Sequence, residues 1–434
     1  MIIHILLLVV VFFAALAWGA NEPWAMAIII MATLALFFVK LAVDIWNNRG
    51  FSIAPSPLYI PMALFLLYVG LQLTVRPIPP IGFPGTVESH TTWIYFLLAA
   101  SYAAAFFIIA NGPRSRDALK WLIAGILVLG MFQAVYGLIQ YLADYNYIWH
   151  FRRHSHGSVA SGTFINRNHY ALLMNMCIAA ACGYLYFRAA RLIGGRGFSL
   201  RRLVSAPGAG KLAWIALCIV LMALALIFSL SRMGIAALFV SIIVMAVFTG
   251  GAGRRFRTVS LVALLLLAAI LGSALYVGVD AILIRYEQLS AENQLEHSRF
   301  GIWRDAWEMF GNYPLFGQGF GTFRWIYPEY ESIQPDTPAE YAHNNYLQAL
   351  IEVGVIGTAL LLWAFAAAWR VAIKNLKSSD PLISGIGIGT IGALTAIMFQ
   401  EFTDFGLYIP GVALTAAFLI GINSYASTLK NNKH

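Results

Sequence analysis

Long apolar runs separated by short polar segments make up most of the chain. A helix needs about 20 mostly apolar residues to cross a bilayer. Runs of this kind cover residues 2–20, 24–44, 57–75, 92–110, 118–142, 168–187, 211–229, 233–250, 258–278, 343–370, 382–400 and 405–425. We therefore predict an all-α fold with about twelve transmembrane helices. The first run has small residues around Ala15 and Ala17, as signal peptides do, but no basic residues precede it, so we expect it to be retained.

A long polar segment, residues 279–342, separates the ninth run from the tenth. Four of its aromatic residues recur at helical spacing and share one face: Phe300, Trp303, Trp307 and Phe310. A short helix with two tryptophans beside a bilayer is typical of the membrane interface. We predict such an amphipathic helix over residues 297–312, with Asp305 and Glu308 pointing away from the aromatic face.

The composition agrees with a polytopic membrane protein. Of the 434 residues, 60% are hydrophobic and 11% are charged, whereas a soluble domain is about 25% charged. No polar block is long enough to form a second domain, so we expect one integral membrane domain over residues 1–434, with the segment 279–342 inserted as a loop. The three cysteines lie in apolar runs and indicate neither disulfides nor a metal site.

The distribution of Lys and Arg predicts the orientation in the membrane. If both termini are cytoplasmic, the cytoplasmic loops carry 19 of the 28 basic residues. The net charge of +9 is therefore a signal of topology and does not indicate nucleic-acid binding. We predict that Arg202 and Arg255 face the cytoplasm and that Glu329 faces the periplasm.

All nine basic residues assigned to the periplasmic side are arginines: Arg76, Arg152, Arg153, Arg167, Arg232, Arg285, Arg299, Arg304 and Arg324. The guanidinium fork binds phosphate oxygens in a bidentate way that lysine cannot reproduce. The bias suits an anionic ligand such as a lipid pyrophosphate, although pairing with nearby acids would account for it equally well.

His343 and Arg232 lie at predicted membrane boundaries. A histidine at such a position can stay neutral and act as a general base, but His343 could instead cap the helix that follows, a role that Asn344 and Asn345 could also fill. Arg232 is in a tight turn between two apolar runs, where a charge is a candidate for function or simply marks the end of a helix. Glu401 and Asp404 lie in a similar turn and are candidate partners for Arg232.

Other polar features are less specific. The glycine-rich run Gly317–Phe323 matches no nucleotide-binding motif; we interpret it as a turn toward the membrane whose amides are candidates for phosphate contacts. Residues 144–169 combine Arg152 and Arg153 with four histidines, and we interpret them as a polar loop and not as a metal site. No two aspartates lie within three positions of each other, so the metal clamp of some glycosyltransferases is missing. We expect no metal or cofactor.

Several motifs together resemble the O-antigen ligase and polymerase superfamily. They are SGTFINRNHYA at 161–171, the pair Ser231-Arg232, HSRFGIWRDAW at 297–307, PLFGQGFGTF at 314–323 and AHNNYLQALIEVGVIG at 342–357. The resemblance covers about Gly162 to Ala367. It implies a GT-C-like fold of about twelve transmembrane helices with a long periplasmic loop containing amphipathic helices.

The resemblance also implies an activity in the bacterial inner membrane. Members transfer a glycan from undecaprenyl pyrophosphate to an acceptor hydroxyl at the periplasmic face, with inversion and without metal. We expect O-antigen ligation to lipid A-core first, with polymerisation of O-antigen or exopolysaccharide, or protein O-glycosylation, as alternatives. The implied partners are the lipid-linked glycan donor, lipid A-core or another glycan acceptor, and membrane lipids, with no nucleic acid.

The motifs assign roles to residues by similarity. His343 resembles the catalytic histidine that activates the acceptor, and Arg232 and Arg299 resemble the arginines that hold the donor pyrophosphate. Arg304 and Asn344 are adjacent candidates for substrate binding. In the loops that contact the acceptor, the candidates are Arg152, Arg153 and His169.

Two other classes of protein share some of these features. A flippase or transporter would bind the same lipid, but it typically shows repeats and polar groups at the bilayer midplane, which this sequence lacks. A polymerase of the shape and division class would use a loop aspartate, such as Asp305 or Asp336, as its base. Convergence of His343, Arg232 and Arg299 on one outward cavity would favour the ligase superfamily.

Overall fold

The computed structural model describes residues 1–47, 53–74, 76, 85–113, 115–153, 159–193, 205–250, 293–332 and 339–429. The α-helices in these residues are α1 (Ile2–Leu16), α2 (Pro23–Trp46), α3 (Tyr59–Gln72), α4 (Ser89–Ala110), α5 (Arg116–Leu142), α6 (Arg167–Ile193), α7 (Ala209–Ile227), α8 (Arg232–Gly250), α9 (Asn293–Asn312), α10 (Phe323–Ile326), α11 (Asn345–Leu376), α12 (Pro381–Gln400) and α13 (Pro410–Thr428). Two short strands, β1 (Tyr147–Ile148) and β2 (Phe151–Arg152), form an antiparallel hairpin. Single 3₁₀ turns cover Trp18–Ala20, Tyr327–Glu329 and Gly406–Tyr408.

The protein is an all-α polytopic membrane protein. Nine helices of the described residues are long and apolar enough to cross a membrane, and α1 and α3 are shorter apolar helices. Eleven of the twelve predicted runs correspond to helices. The run 258–278 lies outside the described residues, so the total of about twelve stays a prediction. The same holds for the limits of the inserted loop, because residues 279–292 and 333–338 also lie outside them.

Helices α6 and α12 form the centre of the bundle and pack tightly along their lengths. A Cβ atom on Gly183 of α6 would lie 2.2 Å from the carbonyl oxygen of Gly385 on α12. Small residues at such contacts let two membrane helices approach closely. The pair therefore fixes the ends of α6 and α12 relative to each other, and both ends contribute to the site described below.

Helix α11 is interrupted at Gly354, which has a φ of 62°. The interruption frees backbone groups that the preceding loop then binds, since Val355 N donates to Pro314 O and Ile356 N donates to Leu315 O. Tyr68 of α3 donates to the carbonyl oxygens of both Phe316 and Val353. Loop 313–323 is thus inserted into the break in a membrane helix, which satisfies the polar groups exposed there.

Helix α9 packs against the protein through an aliphatic stripe formed by Ile302, Ala306 and Met309. Asp305 points away from the aromatic face as predicted, but it points into the protein and is 3% exposed. There it accepts hydrogen bonds from the backbone amide and hydroxyl of Ser332. The prediction of an amphipathic helix is confirmed. Its buried face is aliphatic, however, and Phe300 and Trp307 of the predicted aromatic face are exposed.

The two ends of α12 have different chemistry. At its N-terminal end, Arg116 of α5 forms an ion pair with Asp380. At its C-terminal end, the chain turns through Glu401 and Asp404 before α13 begins. A 20-residue helix is about 30 Å long, so these two groups of charges lie on opposite sides of the bundle.

Candidate active site

His343 lies immediately before the residue that caps α11. The side chain of Asn344 accepts hydrogen bonds from the backbone amides of Tyr346 and Leu347, at 3.1 Å each. His343 itself has a left-handed backbone with φ of 50°, a conformation that is uncommon outside glycine. Asn344 therefore caps α11. Of the two roles considered for His343, only that of a general base is left.

The imidazole of His343 is half-buried and has an unused nitrogen. Its Nδ1 atom is buried without a hydrogen-bond partner, and its ring lies edge-on to Phe405 with 5.0 Å between centroids. Burial lowers the pKa of His343 to about 4, and the charge of Arg299 acts in the same direction. A neutral imidazole with a free nitrogen can accept a proton from a ligand.

His169 and Asp404 complete a histidine–aspartate cluster with His343. His169 is 4% exposed and Asp404 is 1% exposed, and their Nε2 and Oδ1 atoms are 3.5 Å apart. This separation is an electrostatic contact, since it exceeds the range of a good hydrogen bond. The ring of Phe405 lies 4.7 Å from that of His169, so the two histidines flank the same phenylalanine.

The carboxyl group of Asp404 stays ionised although it is buried. Burial opposes ionisation, but His169, the backbone amide of Phe405 and His343 outweigh it and lower the pKa of Asp404. Glu401 behaves in the opposite way, because burial and the charge of Asp404 raise its pKa well above the usual value. Two adjacent carboxyl groups thus have different protonation states, with Asp404 carrying the negative charge.

Arg299 reaches this cluster from α9. It is half-buried, and its charge is close enough to His343 to lower the pKa of the imidazole. The position of α9 is fixed one helical turn further on, where Trp303 donates a hydrogen bond of 2.9 Å from Nε1 to the carbonyl oxygen of Ala342. Arg299 and His343 are therefore brought together by adjacent segments.

Arg232 is the first residue of α8 and is exposed. The preceding residue, Ser231, donates a hydrogen bond of 2.8 Å to the side-chain oxygen of Asn168, and Asn168 is next to His169. Gln400 at the end of α12 donates to the backbone oxygen of Asn168. These bonds hold the start of α8 beside the histidine–aspartate cluster.

The remaining predicted residues have other contacts. Arg304 is exposed on α9 and hydrogen-bonds to the buried Asp305 and to Ser332. Arg153 donates to Val159, Ser161 and Asn146 and so holds its own loop together. Arg152 lies exposed on β2. Substrate contacts for Arg152, Arg153, Arg304 and Asn344 stay predictions.

The amides of the glycine-rich run are used within the protein. Gln318 N donates to Ile351 O and Gly319 N to Glu352 O, while the carboxylate of Glu352 accepts from the amides of Gly321 and Phe323. The other three amides of Gly317–Phe323 also have internal acceptors: Tyr313 O, Gln72 Oε1 and Gly319 O. The interpretation of the run as a turn is confirmed, and its amides are not placed to contact a phosphate.

An apolar cavity of about 300 Å³ lies between α3, α4, α11 and α13. Most of its lining is aliphatic or aromatic, and its polar end includes Asn345, Glu401 and Tyr408. Asn345 donates a hydrogen bond to Glu401 and is two residues from His343. The cavity therefore ends close to the histidine–aspartate cluster.

The family model described as O-antigen ligase matches residues 217–362. Residues 217–362 are therefore similar to an O-antigen ligase domain. The resemblance to the O-antigen ligase and polymerase superfamily is thereby confirmed. The domain includes Arg232, Arg299 and His343, whereas His169 and Asp404 lie outside the matched residues. No curated protein matches the chain.

Sequence patterns did not single out Asp404 as part of the candidate site. The one available signal was a charged residue in a turn at a membrane boundary, which made Asp404 a candidate partner for Arg232. Its proximity to His169 and His343 depends on how α6, α11 and α12 pack. Among the described residues, no cluster of three or more His, Cys, Asp or Glu side chains could hold a metal ion.

Proposed function

We propose that this protein transfers a glycan from undecaprenyl pyrophosphate to an acceptor hydroxyl, and that its reaction is the ligation of O-antigen to lipid A-core. The observation that carries the proposal is the position of His343. Its free Nδ1 atom faces no internal partner, while an arginine and an ionised aspartate act on the same imidazole. The match to the O-antigen ligase family supports the donor class.

His343 is the general base in this mechanism. It takes the proton of the acceptor hydroxyl as the acceptor oxygen bonds to the anomeric carbon of the donor. The bond from that carbon to pyrophosphate breaks on the opposite side of the ring, and its electron pair leaves with the pyrophosphate. Attack from the side opposite the leaving group inverts the anomeric configuration, without a metal or cofactor.

Arg299 and Arg232 bind the departing pyrophosphate. Guanidinium groups aimed at the oxygens where negative charge develops stabilise the transition state. Bound pyrophosphate also offsets the charge of Arg299, which lowers the pKa of His343 in the free protein. Donor binding therefore raises the pKa of His343 toward the range in which a general base is most effective.

Asp404 and His169 act on His343 from the other side. The negative charge of Asp404 raises the pKa of His343, whereas His169 lowers it. When His343 accepts a proton, the ionised carboxylate of Asp404 stabilises the imidazolium. Asp404 is thus a positioning residue that favours the charged form of the base.

The apolar cavity suits the polyprenyl chain of the donor. Its walls come from membrane helices, and its polar end lies beside Asn345, close to His343. A lipid whose chain occupies this cavity would place its headgroup near the cluster. The volume of about 300 Å³ accommodates part of such a chain, and the remainder would extend into the bilayer.

The site would face the periplasm of a bacterial inner membrane, with both termini in the cytoplasm. The 19 basic residues of the predicted cytoplasmic loops support this orientation. His169, Arg232, His343 and Asp404 all lie at helix ends on the side opposite the Arg116–Asp380 ion pair. That side also bears the inserted loop, predicted to be periplasmic over residues 279–342.

One reaction tests this function and distinguishes it from the alternatives. Purified protein is incubated with a lipid-linked oligosaccharide and lipid A-core, and the products are separated by gel electrophoresis. A single shift of lipid A-core is the expected result. A ladder on the lipid carrier would instead identify a polymerase, and transfer only to a polypeptide would identify a protein O-oligosaccharyltransferase. Movement of the intact lipid-linked glycan from one leaflet of a vesicle membrane to the other, without glycan transfer to an acceptor, would identify a flippase.

A further inference from the structure

The exposed side of α9 combines aromatic and charged residues. Phe300 is 66% exposed and Trp307 is 57% exposed, and they lie about two helical turns apart. Arg304 is between them along the same stripe, and Glu308 is exposed beside Trp307. One turn further on, a Cβ at Gly311 would meet no atom within 4 Å, so the stripe continues into open space.

This face is unsuited to insertion into a bilayer. An interfacial helix buries an uninterrupted apolar face in the lipid, but the aliphatic stripe of α9 faces the protein. Its aromatic residues alternate with Arg304 and Glu308. Arg304 is also held by Asp305 and Ser332, which limits its freedom to extend toward lipid headgroups.

The same face is continuous with the candidate active site. Phe300 follows Arg299 directly in the chain, and its ring packs edge-on to Trp303 with 5.5 Å between centroids. Trp303 in turn donates its hydrogen bond to the carbonyl oxygen of Ala342, the neighbour of His343. Trp303 and Phe300 therefore connect the backbone beside His343 to the outer face of α9.

We propose that Phe300 and Trp307 form a platform that stacks against sugar rings of the donor glycan. The inference rests on the proposed function and names a subsite beyond it. Arg299, the residue proposed to hold the donor pyrophosphate, begins the same stretch of helix, so sugars attached to that pyrophosphate are within its reach. An aromatic face packs well against the apolar face of a sugar ring, while Arg304 and Glu308 can hydrogen-bond to hydroxyl groups.

The dimensions of the platform agree with an oligosaccharide. Phe300 and Trp307 are seven positions apart, which is about 10 Å along the helix at 1.5 Å per residue and is the length of a disaccharide. The platform therefore acts on sugars beyond the one that is transferred at its anomeric carbon. It makes the enzyme select donors by glycan length and ring type.

Two donors test the platform: undecaprenyl pyrophosphate carrying a single sugar, and the same lipid carrying an oligosaccharide. Trp307→Ala is expected to lower kcat/KM for the oligosaccharide donor about tenfold, as the loss of one aromatic contact predicts. For the single-sugar donor, the change should stay within about twofold. Trp307→Phe keeps an aromatic ring and should retain most of the preference for the oligosaccharide donor over the single-sugar donor. Trp121→Ala, which removes a tryptophan that is 70% exposed at the start of α5, should affect neither donor.

The outcomes separate this inference from the function on which it rests. Equal losses on both donors, or no loss with either, would overturn the platform while leaving the transferase intact. A raised KM for the acceptor alone would assign the platform to the acceptor and overturn its assignment to the donor. Wild-type protein that transfers from neither donor would overturn the proposed function and the platform with it.

A second measurement separates the platform from a membrane anchor. Wild-type protein and Trp307→Phe are placed in nanodiscs with brominated lipids, which quench tryptophans in contact with acyl chains. Loss of Trp307 should leave the quenchable fluorescence unchanged. A clear fall in quenchable fluorescence would place Trp307 in the bilayer and contradict the proposal.

Discussion

The Nε2 atom of His169 lies 3.5 Å from the Oδ1 atom of Asp404, in a buried space at the ends of α6 and α12. The Oδ2 atom of the same carboxylate is buried without a hydrogen-bond partner. An ionised and incompletely bonded carboxylate is costly to bury. Its position beside two histidines supports the proposal that its charge stabilises the imidazolium formed when His343 accepts a proton.

Replacement of Asp404 by Asn should therefore change both the rate and its dependence on pH. Asp404 raises the pKa of His343, so the neutral amide should lower that pKa further. Because the neutral imidazole is the active form, the acid limb of the pH–rate profile should move to lower pH. The plateau rate should fall about tenfold or more, since a weaker base is a poorer catalyst.

Glu401→Gln is the matched control for Asp404→Asn. Burial and Asp404 raise the pKa of Glu401, so an uncharged glutamine resembles the form of this residue in the native protein. The pH–rate profile should keep its acid limb. If Asp404→Asn lowers the rate without moving that limb, Asp404 has only a structural role.

Arg299→Lys should lose most of the transferase activity although the charge is kept. A bidentate contact with pyrophosphate requires the guanidinium fork, and loss of a transition-state contact of this kind typically costs about 10²-fold in kcat. Steady-state kinetics with a lipid-linked oligosaccharide as donor would measure this loss of kcat. Arg324→Lys, at an exposed arginine that lies over Trp325 in the same loop, should remain active. Equal turnover in wild type and Arg299→Lys would reduce Arg299 to a surface residue.

Asp305→Asn should lower stability more than catalysis. Burial opposes ionisation of Asp305, but hydrogen bonds from Ser332 and the charge of Arg304 outweigh it and lower its pKa. Its stabilising contribution is therefore present above the ordinary pKa of about 4 and is lost as pH falls through the lower folded value. The variant should show a lower Tm and faster proteolysis of the segment 293–332. Normal stability with abolished transfer would instead make Asp305 a candidate base.

The orientation can be tested with single cysteines on opposite sides of the bundle. Glu329 and Lys377 are both exposed, whereas Arg202 and Arg255, which were predicted to be cytoplasmic, lie outside the described residues. An impermeant maleimide should label Glu329→Cys in intact cells, after the outer membrane is permeabilised. It should label Lys377→Cys only after lysis. The reverse pattern would invert the proposed topology.

The sequence predicted the class of fold well because long apolar runs constrain a chain strongly. Eleven of the predicted runs have a counterpart in α1–α8 and α11–α13. A histidine at a membrane boundary before two asparagines is an unusual arrangement, which made His343 a candidate, and its catalytic role stays a prediction. The distribution of Lys and Arg predicts which ends of the helices are cytoplasmic, and that orientation stays a prediction.

Other features depend on packing that local patterns do not encode. Asp305 has the helical position of a solvent-facing acid, yet the loop containing Ser332 folds over it. The amides of the glycine-rich run appeared available, but four of the seven donate to Ile351 and Glu352, which lie just before the break at Gly354. Asp404 lies beside His169 because the C-terminal end of α12 meets the start of α6, where Gln400 donates to the backbone oxygen of Asn168. Each case results from contacts between segments that are distant in sequence.

The proposed mechanism requires His343 to accept the proton of the acceptor hydroxyl, and the substitution His343→Gln removes that capacity. Glutamine can hydrogen-bond and fill similar space but cannot take the proton. Single-turnover transfer by this variant should fall by about 10²–10⁴, the usual contribution of a general base, while the Kd for the lipid-linked donor stays close to that of wild type. A variant that transfers glycan at the wild-type rate would contradict the mechanism.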